Sequence, residues 1–128
     1  MKLLLDTHLL LWSADKSPRL STGAKKLIDD SSNEIVFSVA TIWEVAIKNS
    51  KGMPDFRVDP AVLRNGALNS GYAELGVSGA HAITVASLMP IHKDPFDRLL
   101  IAQAIVEGIT LLTADATISR YPGPIRRV

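Results

Sequence analysis

Asp6, Glu44, Asp97 and Asp115 are the side chains from which chemistry is most readily built. Asp6 ends the apolar run Lys2–Leu5, and Asp115 follows the apolar run Ile109–Leu112 by three residues. Such short continuous apolar runs read as buried parallel strands, and open parallel sheets form their sites just beyond the carboxyl ends of their strands. Asp97 falls in the first turn of a helix expected over Pro95–Glu107. Three of the four positions therefore point to one rim. Two carboxylates about 5 Å apart repel by roughly 3 kcal/mol at an effective dielectric of about 20, so four together are untenable unless protonated or neutralised. Lys48 and Arg98 would neutralise part of that charge, and a divalent cation would do so better. With oxygen ligands and no cysteine, Mg²⁺ or Mn²⁺ is favoured over zinc. His8, His81 and His92 are far apart and show no ligand spacing.

Each of these residues also has a plainer reading. Asp6 and Asp115 stand where a helix N-cap is needed, and capping alone accounts for them equally well. Asp94 precedes Pro95, the arrangement of an N-cap followed by proline at the first helical position, and capping is its favoured role. Asp97 then favours the helix dipole from the third position. On a wheel of the helix Val39–Asn49, Ile42, Val45, Ala46 and Asn49 share a side, and Glu44 falls opposite with Lys48 four residues on. Read alone, that is a solvent-facing pair contributing about 0.3 kcal/mol. Arg98 and Lys93 are near enough to meet substrate phosphate, but solvated charges are the commoner case. His8 follows Asp6 closely enough to orient it, or is simply a satisfied polar residue.

The elements that would position these groups alternate along the chain. Beyond those named, helices are expected over Ser21–Asp30, Pro60–Ser70 and Gly79–Leu88, with helical turns at Thr7–Ser13 and Asp115–Tyr121. Strands are expected at Glu34–Phe37, Tyr72–Val77 and, as a last edge, Ile125–Val128. Alternation of this kind argues a parallel sheet with helices on both faces. The 128 residues suit a single domain, and 5% aromatics imply an aliphatic core. No apolar run approaches the roughly 20 residues a membrane span needs, and a chain without cysteine fits a reducing cytoplasm. A net charge of +1 is neutral on nucleic acid, because a protein that binds by charge alone is usually more basic.

Four stretches together resemble PIN-domain proteins, and within them the ribonuclease toxins of the VapC type. They are Leu3-Leu4-Leu5-Asp6-Thr7-His8, Ser38-Val39-Ala40-Thr41-Ile42-Trp43-Glu44, the long block from His92 to Ala104, and Leu112-Thr113-Ala114-Asp115. The resemblance implies a three-layer α/β/α sandwich around a parallel sheet of about five strands. Position by position, the family's acidic residues fall on Asp6, Glu44, Asp97 and Asp115, which turns Glu44 from a surface residue into a site residue. Thr7 and Thr113 would line the pocket, and Asp94 would add capping, metal binding or both. The implied activity is Mg²⁺- or Mn²⁺-dependent endoribonuclease, restrained by a small antitoxin partner, with the toxin a homodimer. Residues 51–80 carry no motif.

Three other readings compete. A phosphoacceptor receiver domain would need paired acidic residues after the first strand and a late lysine, but only Asp6 and the late Arg126 and Arg127 are present. A catalytically silent PIN-like binding module would usually have lost acidic positions. A metal-independent ribonuclease using His8 or His92 would work in EDTA and leave a cyclic phosphate.

Overall fold

Leu3, Leu4 and Leu5 have no solvent exposure at all, which places their strand at the centre of the sheet. The computed structural model describes all 128 residues. Strand β1 (Lys2–Leu5) pairs in parallel with β2 (Glu34–Ser38) on one side and β4 (Thr110–Thr113) on the other. Strands β3 (Ala73–Leu75) and β5 (Ile125–Arg127) form the edges, giving the all-parallel order β3-β2-β1-β4-β5. Parallel pairing demands crossover helices, and these cover both faces.

The period of two in a strand divides the core. Leu3, Leu5, Ile35, Phe37 and Leu112 face one layer, packing on Leu9 and Leu10 of α1 (Thr7–Ala14), Ala24 of α2 (Thr22–Asp29), Val45 of α3 (Val39–Ser50) and Leu63 of α4 (Pro60–Asn69). Leu4, Val36 and Leu111 face the other layer, against Leu100, Ile101 and Ala104 of α6 (Pro95–Glu107). Helix α5 (Gly79–Val85) packs outside α6. The expected three-layer sandwich and five parallel strands are therefore both present.

Several boundaries differ from the sequence expectation for local reasons. Helix α5 stops at Val85, because the bonds from the Ala86, Ser87 and Leu88 amides reach back three residues to Ile83, Thr84 and Val85, a tightened turn rather than a continued helix. The turn after Asp115 shrinks to one 3₁₀ turn at Ile118–Arg120. An unanticipated 3₁₀ turn at Pro54–Phe56 follows the end of α3 and buries Phe56 in the first layer. Helix α6 ends as expected at Gly108, whose φ of 65° is a left-handed C-cap conformation that glycine adopts without steric cost.

The chain winds outward through β1, β2 and β3, then crosses back to add β4 and β5 on the far side of β1. The sheet reverses its order between β1 and β4, and a crevice opens at their carboxyl ends.

Candidate metal centre

Strands β1 and β4 deliver Asp6 and Asp115 to that crevice. The Asp6 amide donates to the Leu112 carbonyl at 3.1 Å, which locks the end of β1 to β4. The Asp6 side chain caps α1, with Oδ1 accepting from the Leu9 amide at 2.9 Å, while Oδ2 accepts from the Thr113 hydroxyl at 2.5 Å. Capping and site membership are therefore held by one carboxylate. Burial, opposed by these hydrogen bonds, pushes the Asp6 pKa up. Thr113 Oγ1 accepts in turn from the Asp115 amide at 3.0 Å, so one threonine positions both acids. Asp115 caps its own turn through Oδ1 and turns Oδ2 toward His92 Nε2 at 3.7 Å.

Helix α6 brings the third acid. Asp94 is its N-cap, Oδ1 accepting from the amides of Phe96 and Asp97, with Pro95 at the first helical position as expected. One turn in, Asp97 Oδ2 lies 3.1 Å from His92 Nε2. Its pKa is pushed up to about 8, first by burial and then by the charges of Asp94, Glu44, Asp6 and Asp115.

Glu44 is not on the surface: its relative exposure is 2%, and its Oε1 accepts from the Thr7 hydroxyl at 2.6 Å. The wheel failed because the polar strip of α3 faces α1 rather than water, with Thr41 bonded to Thr7 at 3.1 Å. The Glu44–Lys48 pair exists, at 2.5 Å, but it is largely buried, and Lys48 also approaches Asp94 Oδ2 at 3.6 Å. Burial favours the neutral form of Lys48, yet the hydrogen bond and charge of Glu44, with Asp94 and Asp97 behind them, raise its pKa.

Two other charged-residue expectations change. Arg98 does not neutralise the acids or face open solvent; its guanidinium donates to the carbonyls of Val85 and Met89 and to the Tyr121 hydroxyl. His8 does not hydrogen-bond Asp6; its ring packs against Trp12 and Phe56, each at 5.7 Å between centroids. Lys93 is exposed, as a solvated charge would be. His92, considered in the sequence for a metal-independent ribonuclease, joins the acids, its Nε2 lying with carboxylate oxygens of Asp97 and Asp115 in a group spanning no more than 4.8 Å. The one sequence signal for its place beside the acids was membership of the His92–Ala104 block. Ser38 and Gln103, buried and bonded to each other at 2.6 Å, brace β2 against α6 without reaching the acids.

No lysine or arginine pairs with Asp6, Asp97 or Asp115. That imbalance fits a divalent cation: converging oxygens, a carboxyl whose charged form is penalised by its neighbours, and no fixed positive partner. A cleft of about 720 Å³ lies elsewhere, between α1 and α4, and none of the four acids lines it.

Comparison with known proteins supports this architecture. No curated protein matches by sequence. A chain of the VapBC2 structure from Rickettsia felis, bound to a DNA fragment from their promoter, superposes with a TM-score of 0.73 at 19% identity, covering 99% of this chain and 98% of that one. DNA-bound VapBC from Salmonella typhimurium gives 0.70 at 18% identity, and VapBC-1 from nontypeable Haemophilus influenzae gives 0.63 at 15%, each covering 99% of this chain and 98% of the other. At these identities the likeness is one of fold. The sequence itself matches the PIN domain over residues 3–124, nearly its whole length, and the chain belongs to the PIN-domain family.

Proposed function

We propose that this chain is a Mg²⁺- or Mn²⁺-dependent endoribonuclease, the toxin member of a toxin–antitoxin pair of the VapC type. The observation that carries the reading is the convergence of Asp6, Asp97 and Asp115 on one rim without a lysine or arginine to balance them. These three carboxylates would hold the cation, with Glu44 completing the group directly or through water. When bound, a divalent cation there supplies a nucleophilic water at neutral pH and offsets charge on the leaving oxygen. Thr113 fixes the carboxylate of Asp6 and the backbone of Asp115 at one separation, and Lys48 holds Glu44 in an ion pair. Water adds in line to phosphorus, the bond to the 3′-oxygen breaks, and that oxygen takes a proton. The products are a 5′-phosphate and a 3′-hydroxyl.

RNA as substrate and an antitoxin as partner rest on the likeness to VapC-type proteins, whose solved VapBC complexes share this fold. Self-association as a homodimer is part of the same proposal, and exposed Ile83 and Met89 are apolar surface that it would cover. No helix is long and apolar enough to cross a membrane, and the cysteine-free chain suits a cytoplasmic setting.

The test is cleavage of a mixed RNA pool, with a DNA pool alongside, by antitoxin-free protein in Mg²⁺ or Mn²⁺. Cleavage of RNA that is lost in EDTA and leaves 5′-phosphate ends is expected. Activity that persists in EDTA, or cyclic phosphate ends, would transfer the chemistry to histidine and overturn the proposal. No cleavage with either metal would favour the silent binding module.

A further inference from the structure

His92 is held more firmly than a bystander would be. Its backbone amide donates to the Tyr121 hydroxyl at 2.7 Å, and Tyr121 is almost fully buried. Arg98 Nη1 donates to the same hydroxyl at 3.1 Å and to the Met89 carbonyl at 3.0 Å, while Nη2 reaches the Val85 carbonyl at 3.1 Å. The guanidinium thus ties the segment from Val85 to His92 onto α6. The ring is fixed separately: the Asp94 amide donates to His92 Nδ1 at 3.1 Å. A nitrogen that accepts a hydrogen bond carries no proton, so the neutral ring holds its proton on Nε2. Nε2 faces Asp97 Oδ2 at 3.1 Å and Asp115 Oδ2 at 3.7 Å.

We propose that His92 is a positioning residue for the metal centre, its Nε2–H set against Asp97 Oδ2 and so leaving Oδ1 for the cation. The inference rests on the metal-centre reading above. Neither oxygen of Asp97 makes a hydrogen bond within the protein, and Oδ2 is the one that faces the imidazole at 3.1 Å. A ring nitrogen set against one oxygen of the carboxylate leaves the other free to offer to a cation. That arrangement suits small cations that take one oxygen per carboxylate and keep several waters. The rival role, direct ligation of metal by Nε2, requires its lone pair. The proton would then move to Nδ1 and the bond from the Asp94 amide would be lost. Arg98 and Tyr121 act one step further out, through His92.

The experiment is calorimetric titration of Mn²⁺ into the full chain, wild type and variants, each first checked for cooperative thermal unfolding. His92→Phe keeps a flat ring without the donor and should weaken Mn²⁺ binding by about 10- to 100-fold, the usual cost of removing a group that orients a metal ligand. His92→Gln carries an amide donor near the Nε2 position and should recover most of that loss. Tyr121→Phe deletes one hydroxyl, should weaken binding less and in the same direction, and keeps the proposal testable if His92→Phe does not fold. In ¹⁵N-histidine spectra, the His92 Nε2 proton should be present without metal and remain when Mg²⁺ is added. Unchanged or tighter binding by His92→Phe, or no rescue by glutamine, overturns the proposal while leaving the metal centre intact. Loss of the Nε2 proton on adding Mg²⁺ makes the ring a ligand instead. If wild type binds no Mn²⁺, or Asp97→Asn binds it equally well, the metal-centre reading fails and this proposal with it.

Discussion

The rim has two acidic halves, and they are balanced differently. On the α3 side, Glu44 is buried but satisfied by the Thr7 hydroxyl and Lys48. On the α6 and β4 side, Asp97 and Asp115 share only the imidazole of His92, and burial and neighbouring charge raise the Asp97 pKa to about 8. The first half is a closed ion pair that positions helices. The second is a set of carboxylates with no lysine or arginine paired to it. Acidic clustering alone does not distinguish a structural knot from a metal centre; the presence or absence of a fixed positive partner does.

The comparison can be broken most directly at Asp97. Asp97→Asn should reduce RNA cleavage on the order of a thousandfold, equivalent to about 4 kcal/mol of barrier, the scale of stabilisation a bound cation supplies. A rate within tenfold of wild type would place the metal elsewhere. Next in size, Lys48→Met leaves Glu44 buried and unpaired, and urea unfolding should show a loss of about 3 kcal/mol. Lys48→Met with Glu44→Gln should restore much of it. If Lys48→Met alone is neutral, the α3 half is not closed.

The pH dependence of the metal-free protein sharpens the contrast. A carboxyl whose folded pKa lies above its unfolded value binds its proton more tightly when folded. Its contribution is fully present below about pH 4 and is lost as pH rises through about 8. The unfolding midpoint should therefore fall by several degrees over that window, with Asp6 adding in the same sense. Saturating Mn²⁺ should reverse the fall near pH 8, and Asp97→Asn should flatten it. A midpoint that rises across the window would contradict the charge imbalance. The smallest effect belongs to Asp94→Asn. Asparagine caps a helix as well as aspartate, so stability should change by less than about 0.5 kcal/mol. The slope with pH should become shallower, because Asp94 is the leading charge acting on Asp97.

Much of this was legible in the sequence, for local reasons. The leucine run of β1 and the Thr110–Thr113 strand announced the centre of the sheet, and Asp6 and Asp115 follow them directly. The Asp94–Pro95 cap fixed the start of α6 and hence the place of Asp97. What escaped depended on contacts distant in sequence. A wheel ranks Glu44 by polarity and cannot see that Thr7, 37 residues earlier, supplies its hydrogen bond. The role of His92 depends on Tyr121, 29 residues later, and on an Asp94 amide that selects its tautomer. Spacing between histidines carries no trace of either. Arg98 read as a solvated charge or a phosphate contact because its charge is visible in sequence, whereas the backbone carbonyls that engage it are not.

The most direct test of the central claim is anomalous diffraction from crystals of the full chain soaked in Mn²⁺. The account predicts one or two strong peaks among the carboxylates of Asp6, Asp97 and Asp115. A peak seated instead on the Glu44–Lys48 side, or none at saturating Mn²⁺, would contradict it.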